Sequence, residues 1–272
     1  MPSFRLTLAY DGTDFSGSQV QPNQRTVQGE LEAVLGAITT TPGRAAFTGR
    51  TDRGVHAIGQ VAAVTLPSWR ATGRELQHAL NASLPNDMAA VDVVLCADSF
   101  NPRYDATWRE YRYWIAPTVV SPFLRRYAWM LRAGVTLDAV REGAKCLIGT
   151  HDFASFAGGG EGVPWSRRAV RPRGTTRTIF RCECREISIG AGPCAVEQAQ
   201  VFEVRVVADG FLPRMVRNIV GALVEVGQGR RDPVWISELL AAQDRRIGPA
   251  LAPPQGLTLW RVGFGEDEFD YD

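Results

Sequence analysis

Three stretches of this 272-residue chain hold side chains that could carry out a reaction together. The first is the run Gly49-Arg50-Thr51-Asp52-Arg53-Gly54-Val55-His56-Ala57. Its single carboxylate, Asp52, sits between two arginines. Adjacent guanidinium groups favour the ionised carboxylate, which suits a nucleophile or a charge stabiliser better than a proton donor. The second is the run Trp108-Arg109-Glu110-Tyr111-Arg112-Tyr113-Trp114, where arginines and aromatic rings alternate. The third lies in residues 213–228, where Arg214, Arg217, Asn218, Gly221 and Glu225 recur at three- and four-residue steps. Each has an ordinary reading as well. Asp-x-Gly is common turn chemistry, and an arginine on a helical polar stripe is usually solvated. The residues alone leave both readings open.

The elements that must position these groups follow from hydrophobic period and turn residues. Residues 45–48 and 58–66 read as strands, so Asp52 stands on a tight connection between them, where scaffolds tend to hold working side chains. A first strand over 4–10 ends at the turn Asp11-Gly12-Thr13. Val27, Leu31, Val34, Leu35 and Ile38 recur at helical spacing behind Thr26 as N-cap. A second helix over 76–84 and a strand over 90–95 complete the order strand, helix, strand, strand, helix, strand, the split β-α-β pattern.

Phe100-Asn101-Pro102-Arg103-Tyr104 connects into the second half. From 107 the chain alternates again, placing Arg109, Tyr111 and Tyr113 on one face and Trp108, Arg112 and Trp114 on the other. Such a surface can stack bases and hold phosphates. It also fits a sheet with one aromatic core face and one solvated charged face. A helix spans 135–147. Residues 158–175 are rich in glycine and carry Arg167, Arg168, Arg171 and Arg173, forming either a basic loop able to reach a polyanion backbone or a solvated insertion. Strands over 176–189 and 201–208 form a hairpin turning at 190–193, with Cys182 and Cys184 on the core face shared by Phe180. A helix over 213–228 takes Pro213 in its first turn and buries Met215, Ile219, Val220, Leu223 and Val226. A short helix over 234–242, a proline-rich connection at 249–254 and a strand entered through Gly256-Leu257-Thr258-Leu259 complete the ordered chain, followed by an acidic tail at 266–272.

Composition narrows the function classes. Hydrophobic residues at 45% and charged residues at 22% suit a globular chain with a sizeable core. The net charge of +1 gives no bulk attraction for a polyanion, but of 30 basic side chains only Lys145 is a lysine. Codon bias from a GC-rich genome is the ordinary reading of that preference, although arginine also suits phosphate forks and base stacking. An odd count of five cysteines in no disulfide-like array points to a reducing compartment. The chain opens without a signal-peptide pattern, and no apolar run reaches the roughly 18 residues of a membrane span. A cytoplasmic protein without membrane partners is expected. There is no Walker A motif, Gly158-x-Gly160-x-Gly162 lacks the strand and helix of a dinucleotide site, and His56, His78 and His151 do not pair as metal ligands. No metal and no cofactor is expected.

The Gly49–Ala57 run resembles the signature of the TruA-type tRNA pseudouridine synthases, whose nucleophilic aspartate falls on Asp52. Arg109-Glu110-Tyr111-Arg112-Tyr113 resembles the family's second motif, and Met215-Val216-Arg217-Asn218-Ile219-Val220-Gly221-Ala222-Leu223 its third. His151-Asp152-Phe153-Ala154-Ser155-Phe156 and Gly256-Leu257-Thr258-Leu259 are also family-like. The chain departs from the pattern at Gly17-Ser18-Gln19, where Ser18 replaces the usual tryptophan, and at Glu110, where a basic residue is frequent.

The resemblance implies an α+β fold of two RRM- or ferredoxin-like halves forming a continuous, mostly antiparallel sheet, with helices on one face and the active-site cleft on the other. The halves would be 1–105, carrying the catalytic aspartate, and 106–265, carrying the tyrosine and arginine, with 266–272 as the tail. It implies conversion of uridine to pseudouridine at positions 38, 39 or 40 of the tRNA anticodon stem-loop, by a homodimer in which one tRNA contacts both subunits. Tyr111 would pack against the target uracil, Arg217 would pair with the aspartate, and Arg50 and Leu257 would line the site. Arg214 and the arginines of 158–175 are candidate tRNA backbone contacts. Attack on the sugar and assisted glycal formation both remain open for Asp52. So do two other classes of function: an RNA-binding module that has no use for Asp52, and a hydrolase using Asp52 with another carboxylate.

Overall fold

A computed structural model describes residues 1–39, 43–117, 122–158, 174–190 and 198–265. Among them are ten strands and five α-helices, with mostly antiparallel pairing, an α+β fold. The chain divides into two compact units. One comprises Met1–Arg109 together with the chain from Thr258 onward, the other Glu110–Leu257.

The first unit is built around β1 (Ser3–Tyr10), which buries Phe4, Leu6, Leu8 and Tyr10 at period two. It pairs antiparallel with β3 (His56–Thr65) on one side and β4 (Met88–Cys96) on the other. The short β2 (Ala46–Phe47) joins β3 at Ala46↔Ala63. Strand β10 (Leu257–Phe264) lies parallel to β3, with Thr258 opposite His56. Helix α1 (Val27–Ile38) starts at Thr26, whose hydroxyl accepts from Gly29 N at 3.2 Å, and buries Val27, Leu31, Val34 and Leu35. Helix α2 (Gly73–Asn81) begins earlier than its apolar spacing indicates. Thr72 and Glu75 form a reciprocal capping box, with the Thr72 hydroxyl accepting from Glu75 N and the Glu75 carboxylate from Thr72 N. The helix ends where the Asn81 side chain hydrogen-bonds both ways with the Ala90 backbone of β4.

Strand β5 (Ala106–Ala116) carries the chain into the second unit, where β6 (Trp129–Met130) pairs with it in parallel. The strands β7 (Gly149–Asp152), β8 (Thr176–Gly190) and β9 (Gln198–Ala208) run antiparallel. Cys182 and Cys184 are core residues as expected, but Phe180 is not. The β8–β9 register shifts between Ile179 and Arg181, so Ile179 takes the inward place and Phe180 is left 40% exposed. A bulge of this kind resets the period of two. Helix α3 (Leu137–Lys145) packs on α4 (Met215–Gly227), with Gly143 against the Leu223 and Ile236 side chains. α4 begins at Met215 rather than Pro213, because Arg214 stands before it with φ of +60°. Helix α5 (Val234–Ala242) follows. No helix among the described residues is long and apolar enough to cross a membrane.

Candidate active site

The Asp52 segment is a loop between β2 and β3 held from behind by buried polar groups. Thr48 N and its hydroxyl both bond Val61 O, fixing the entry. At the next residue, Gly49 O accepts from Gln60 Nε2 at 3.1 Å. Thr51 is gripped three ways. Its N–H donates to Ser18 Oγ (2.9 Å), its carbonyl accepts from Ser18 N (3.1 Å), and its hydroxyl bonds the Tyr10 hydroxyl (2.9 Å). The loop closes as Val55 N donates to Asp52 O at 3.1 Å, and Gly54 adopts φ of +78°, a conformation glycine takes without cost.

Glycines let a second segment approach. A Cβ on Gly12 would lie 2.0 Å from Val55 O, and Gly17 sits against Thr51 O at φ of +96°. Gly12 N also donates to His56 Nδ1 at 3.0 Å. The result is a half-buried Asp52 on a backbone with little freedom, flanked by the exposed arginines 50 and 53.

Sequence reading missed the supports. Ser18 is 1% exposed and answers both backbone groups of Thr51, so this small residue is a structural clamp. Tyr10 and Gln60 complete it, with Gln60 Nε2 3.4 Å from the Tyr10 hydroxyl. Burial pushes the Tyr10 phenol up to about 12, against the opposing hydrogen bonds from Thr51 and Gln60. The signal was the inward period of β1, which places a hydroxyl at its buried end. Its partner could not be read from local sequence.

In the second unit the candidate residues are arranged as follows. Tyr111, half-buried on β5, meets Phe211 edge-on at 5.1 Å and 88°. Two residues on, Tyr113 is fully buried. Its hydroxyl donates to Pro253 O at 2.8 Å, and its ring lies against Gly256, where a Cβ would come within 2.5 Å. Burial drives the Tyr113 phenol strongly upward, opposed by the positive charge of nearby Arg217.

The middle of the polar stripe of α4, Arg217, Asn218 and Gly221, is buried rather than solvated. Arg217 is only 9% exposed, its Nε donating to Ala252 O at 2.7 Å while Ala252 N donates to Arg217 O. Asn218 donates to Phe156 O and accepts from Arg245 Nη2, and Gly221 lets Ala250 O approach to where a Cβ would sit 2.1 Å away. The stripe therefore clasps the chain at 249–252 and the buried Phe153–Phe156 segment. Leu257, 6% exposed, opens β10 five residues after Ala252. Arg214 is exposed at the head of α4.

The arginines of β5 and β9 are not free for phosphate. Glu110, buried, accepts from Arg112 Nε at 2.7 Å and from Arg205 Nη2 at 3.0 Å. Glu203, also buried, bonds Arg185 Nε (2.9 Å) and Trp114 Nε1 (3.1 Å) and pairs with Arg112 at 3.5 Å. Arg109 bonds the carbonyls of Arg103 and Ala106. A buried carboxylate requires cationic partners, so the charged face of this sheet is a paired internal network, and Glu110 is consistent with its surroundings. Arg167, Arg168, Arg171 and Arg173 lie outside the described residues, as does the hairpin turn beyond residue 190.

Residues 7–105 and 144–265 match the family described as tRNA pseudouridine synthase. Among similar proteins, each named tRNA pseudouridine synthase A, one from Thermosipho africanus is 40% identical over 264 residues, covering 97% of this chain and all of the relative. One from Solidesulfovibrio magneticus is 42% identical over 271 residues, covering 97% and 92%. One from Geobacillus kaustophilus is 41% identical over 267 residues, covering 97% and 95%.

Proposed function

Because this chain belongs to the tRNA pseudouridine synthase family, we propose that it isomerises uridine to pseudouridine at positions 38, 39 or 40 of the tRNA anticodon stem-loop, with Asp52 as the nucleophile and no cofactor. The observation that carries this reading is the support of the Asp52 loop, with Thr51 bonded to Ser18 and Tyr10, and Gly49 to Gln60. A turn that only connects two strands has no need of that many buried bonds.

The reaction breaks the bond from N1 to C1′, turns the uracil while it is held, and joins C5 to C1′. The C5 proton leaves and N1 regains one, so the base keeps its formula. Asp52 either attacks the sugar or assists loss of a proton to a glycal. Arg217 supplies the cationic charge that an ionised carboxylate needs in a site that excludes water. Tyr111 holds the detached base and takes part in removing the C5 proton, and Leu257 provides apolar lining. The target uridine must leave its stack, at a cost of a few kcal/mol. Arg50 binds the substrate beside Asp52, and Arg214 and the arginines at 167, 168, 171 and 173 contact the tRNA backbone. The protein works in the cytoplasm as a homodimer, one tRNA touching both subunits.

The test is tritium release from tRNA carrying C5-tritiated uridine. Wild type should release tritium and Asp52→Asn should lose at least about a thousandfold in rate, as expected when a chemical group rather than a binding contact is removed. Tight tRNA binding without release by wild type would instead favour a binding module, and free uracil as product would favour a hydrolase.

A further inference from the structure

The turn at residues 101–105 has no part in the chemistry above, yet it is built more firmly than a connection requires. Asn101 organises it. Its carbonyl accepts from Tyr104 N (3.1 Å) and Asp105 N (2.9 Å), its side chain accepts from Arg103 N (3.0 Å), and its N–H donates to Asp105 Oδ2 (2.8 Å). Below it Pro102 is buried, and Phe100 packs on Phe264 with ring centroids 5.2 Å apart. Arg109 reaches back to bond the carbonyls of Arg103 and Ala106, each at 3.0 Å.

All this rigidity presents one ring to water. Tyr104 is 78% exposed, the most exposed aromatic side chain among the described residues. The Arg103 guanidinium carbon lies 6.0 Å from its ring centroid, at the edge of cation–π range. An aromatic face held out on a stiff turn beside a cation is what stacking of an unpaired nucleobase requires, with the cation left to meet the adjoining phosphate. An apolar protein partner would need a wider apolar patch, and the neighbours of this ring, Asn101, Arg103 and Asp105, are polar.

We propose that Tyr104 and Arg103 form a stacking site for an unpaired base of the bound tRNA, a role that rests on the tRNA reading above. Because the turn is fixed in advance, binding does not have to order it, and the stacking adds affinity rather than rate.

The test is a series of Tyr104→Ala, Tyr104→Phe and Tyr104→Leu in the full-length protein. It reads the Kd for fluorescein-labelled tRNA by anisotropy, alongside steady-state pseudouridine formation. Removing the ring beneath a stacked base should raise Kd and KM on the order of tenfold for Tyr104→Ala, with kcat unchanged. Tyr104→Phe should stay within about twofold of wild type, and Tyr104→Leu should behave like Tyr104→Ala. Wild-type affinity in Tyr104→Ala would overturn the proposal. So would rescue by Tyr104→Leu, which would mean generic apolar packing, or failure of Tyr104→Phe, which would place the interaction on the hydroxyl. A wild type that binds tRNA but forms no pseudouridine would overturn the isomerase reading alone, and the Kd series would still decide the stacking site.

Discussion

The Asp52 loop rests on residues buried behind it. Thr51, next to Asp52, is fixed by Ser18 and by the Tyr10 hydroxyl, which sits in a fully buried environment. Burial disfavours the Tyr10 phenolate and pushes this group up from its ordinary 10.0 to about 12. The folded chain therefore keeps a proton that the unfolded chain releases. This contribution to stability is present in full below about pH 10 and is lost as pH rises through about 12. Tyr10→Phe should lower stability by about 1 kcal/mol at neutral pH, since the bond to Thr51 is gone, and make the alkaline fall in urea midpoint shallower. Tyr113 shifts in the same direction but is common to both proteins, so the difference isolates Tyr10. Superimposable alkaline limbs would show that Tyr10 does not titrate this way.

At the scale of elements, β5 and β9 share a network of buried charges beside their apolar contacts. Glu110 lies between Arg112 and Arg205, and Glu203 lies beneath Arg185 and Trp114. Removing one carboxylate takes a negative charge from between buried guanidinium groups, which costs far more than the pair itself contributes. Glu110→Ala is expected to destabilise the protein by about 3–5 kcal/mol in equilibrium urea unfolding. An effect below about 1 kcal/mol would mean that the network relaxes or admits water. The same elements show where local reading succeeds. Thr26 and the spacing after it announce α1 because capping and helical period are local. The arginines and tyrosines of β5 do not announce their partners, because the strand supplies only the alternation. Glu203 and Arg205, far along the chain, decide that Arg112 is an internal partner rather than a phosphate ligand. Likewise a bulge on β8 exposes Phe180, an outcome that a strict period of two does not contain.

For the whole molecule, a net charge of +1 gives little general attraction to a polyanion, so the electrostatic part of the affinity expected for tRNA must come from arginines gathered locally. Changing Arg167, Arg168, Arg171 and Arg173 to Ala should flatten the slope of log K against log salt by about 0.7–0.9 for each phosphate no longer neutralised. An unchanged slope would make that stretch a solvated insertion. The amino-acid sequence by itself determined the order of strands and helices in the first unit, the inward faces of β1 and α1, and the loop on which Asp52 stands, because period, caps and turn residues act over a few positions. It also carried the three motifs that mark the family. Tertiary structure alone decided what those motifs rest on. Only in the fold do Ser18, Tyr10 and Gln60 converge behind Thr51 and Gly49, and only there does the polar stripe of α4 close over the chain at 249–252. β10, the last strand in sequence, runs parallel to β3. These pairings join residues tens to hundreds of positions apart, and satisfying a buried polar group depends on which atoms lie within about 3 Å in space rather than on which residues lie nearby in the chain.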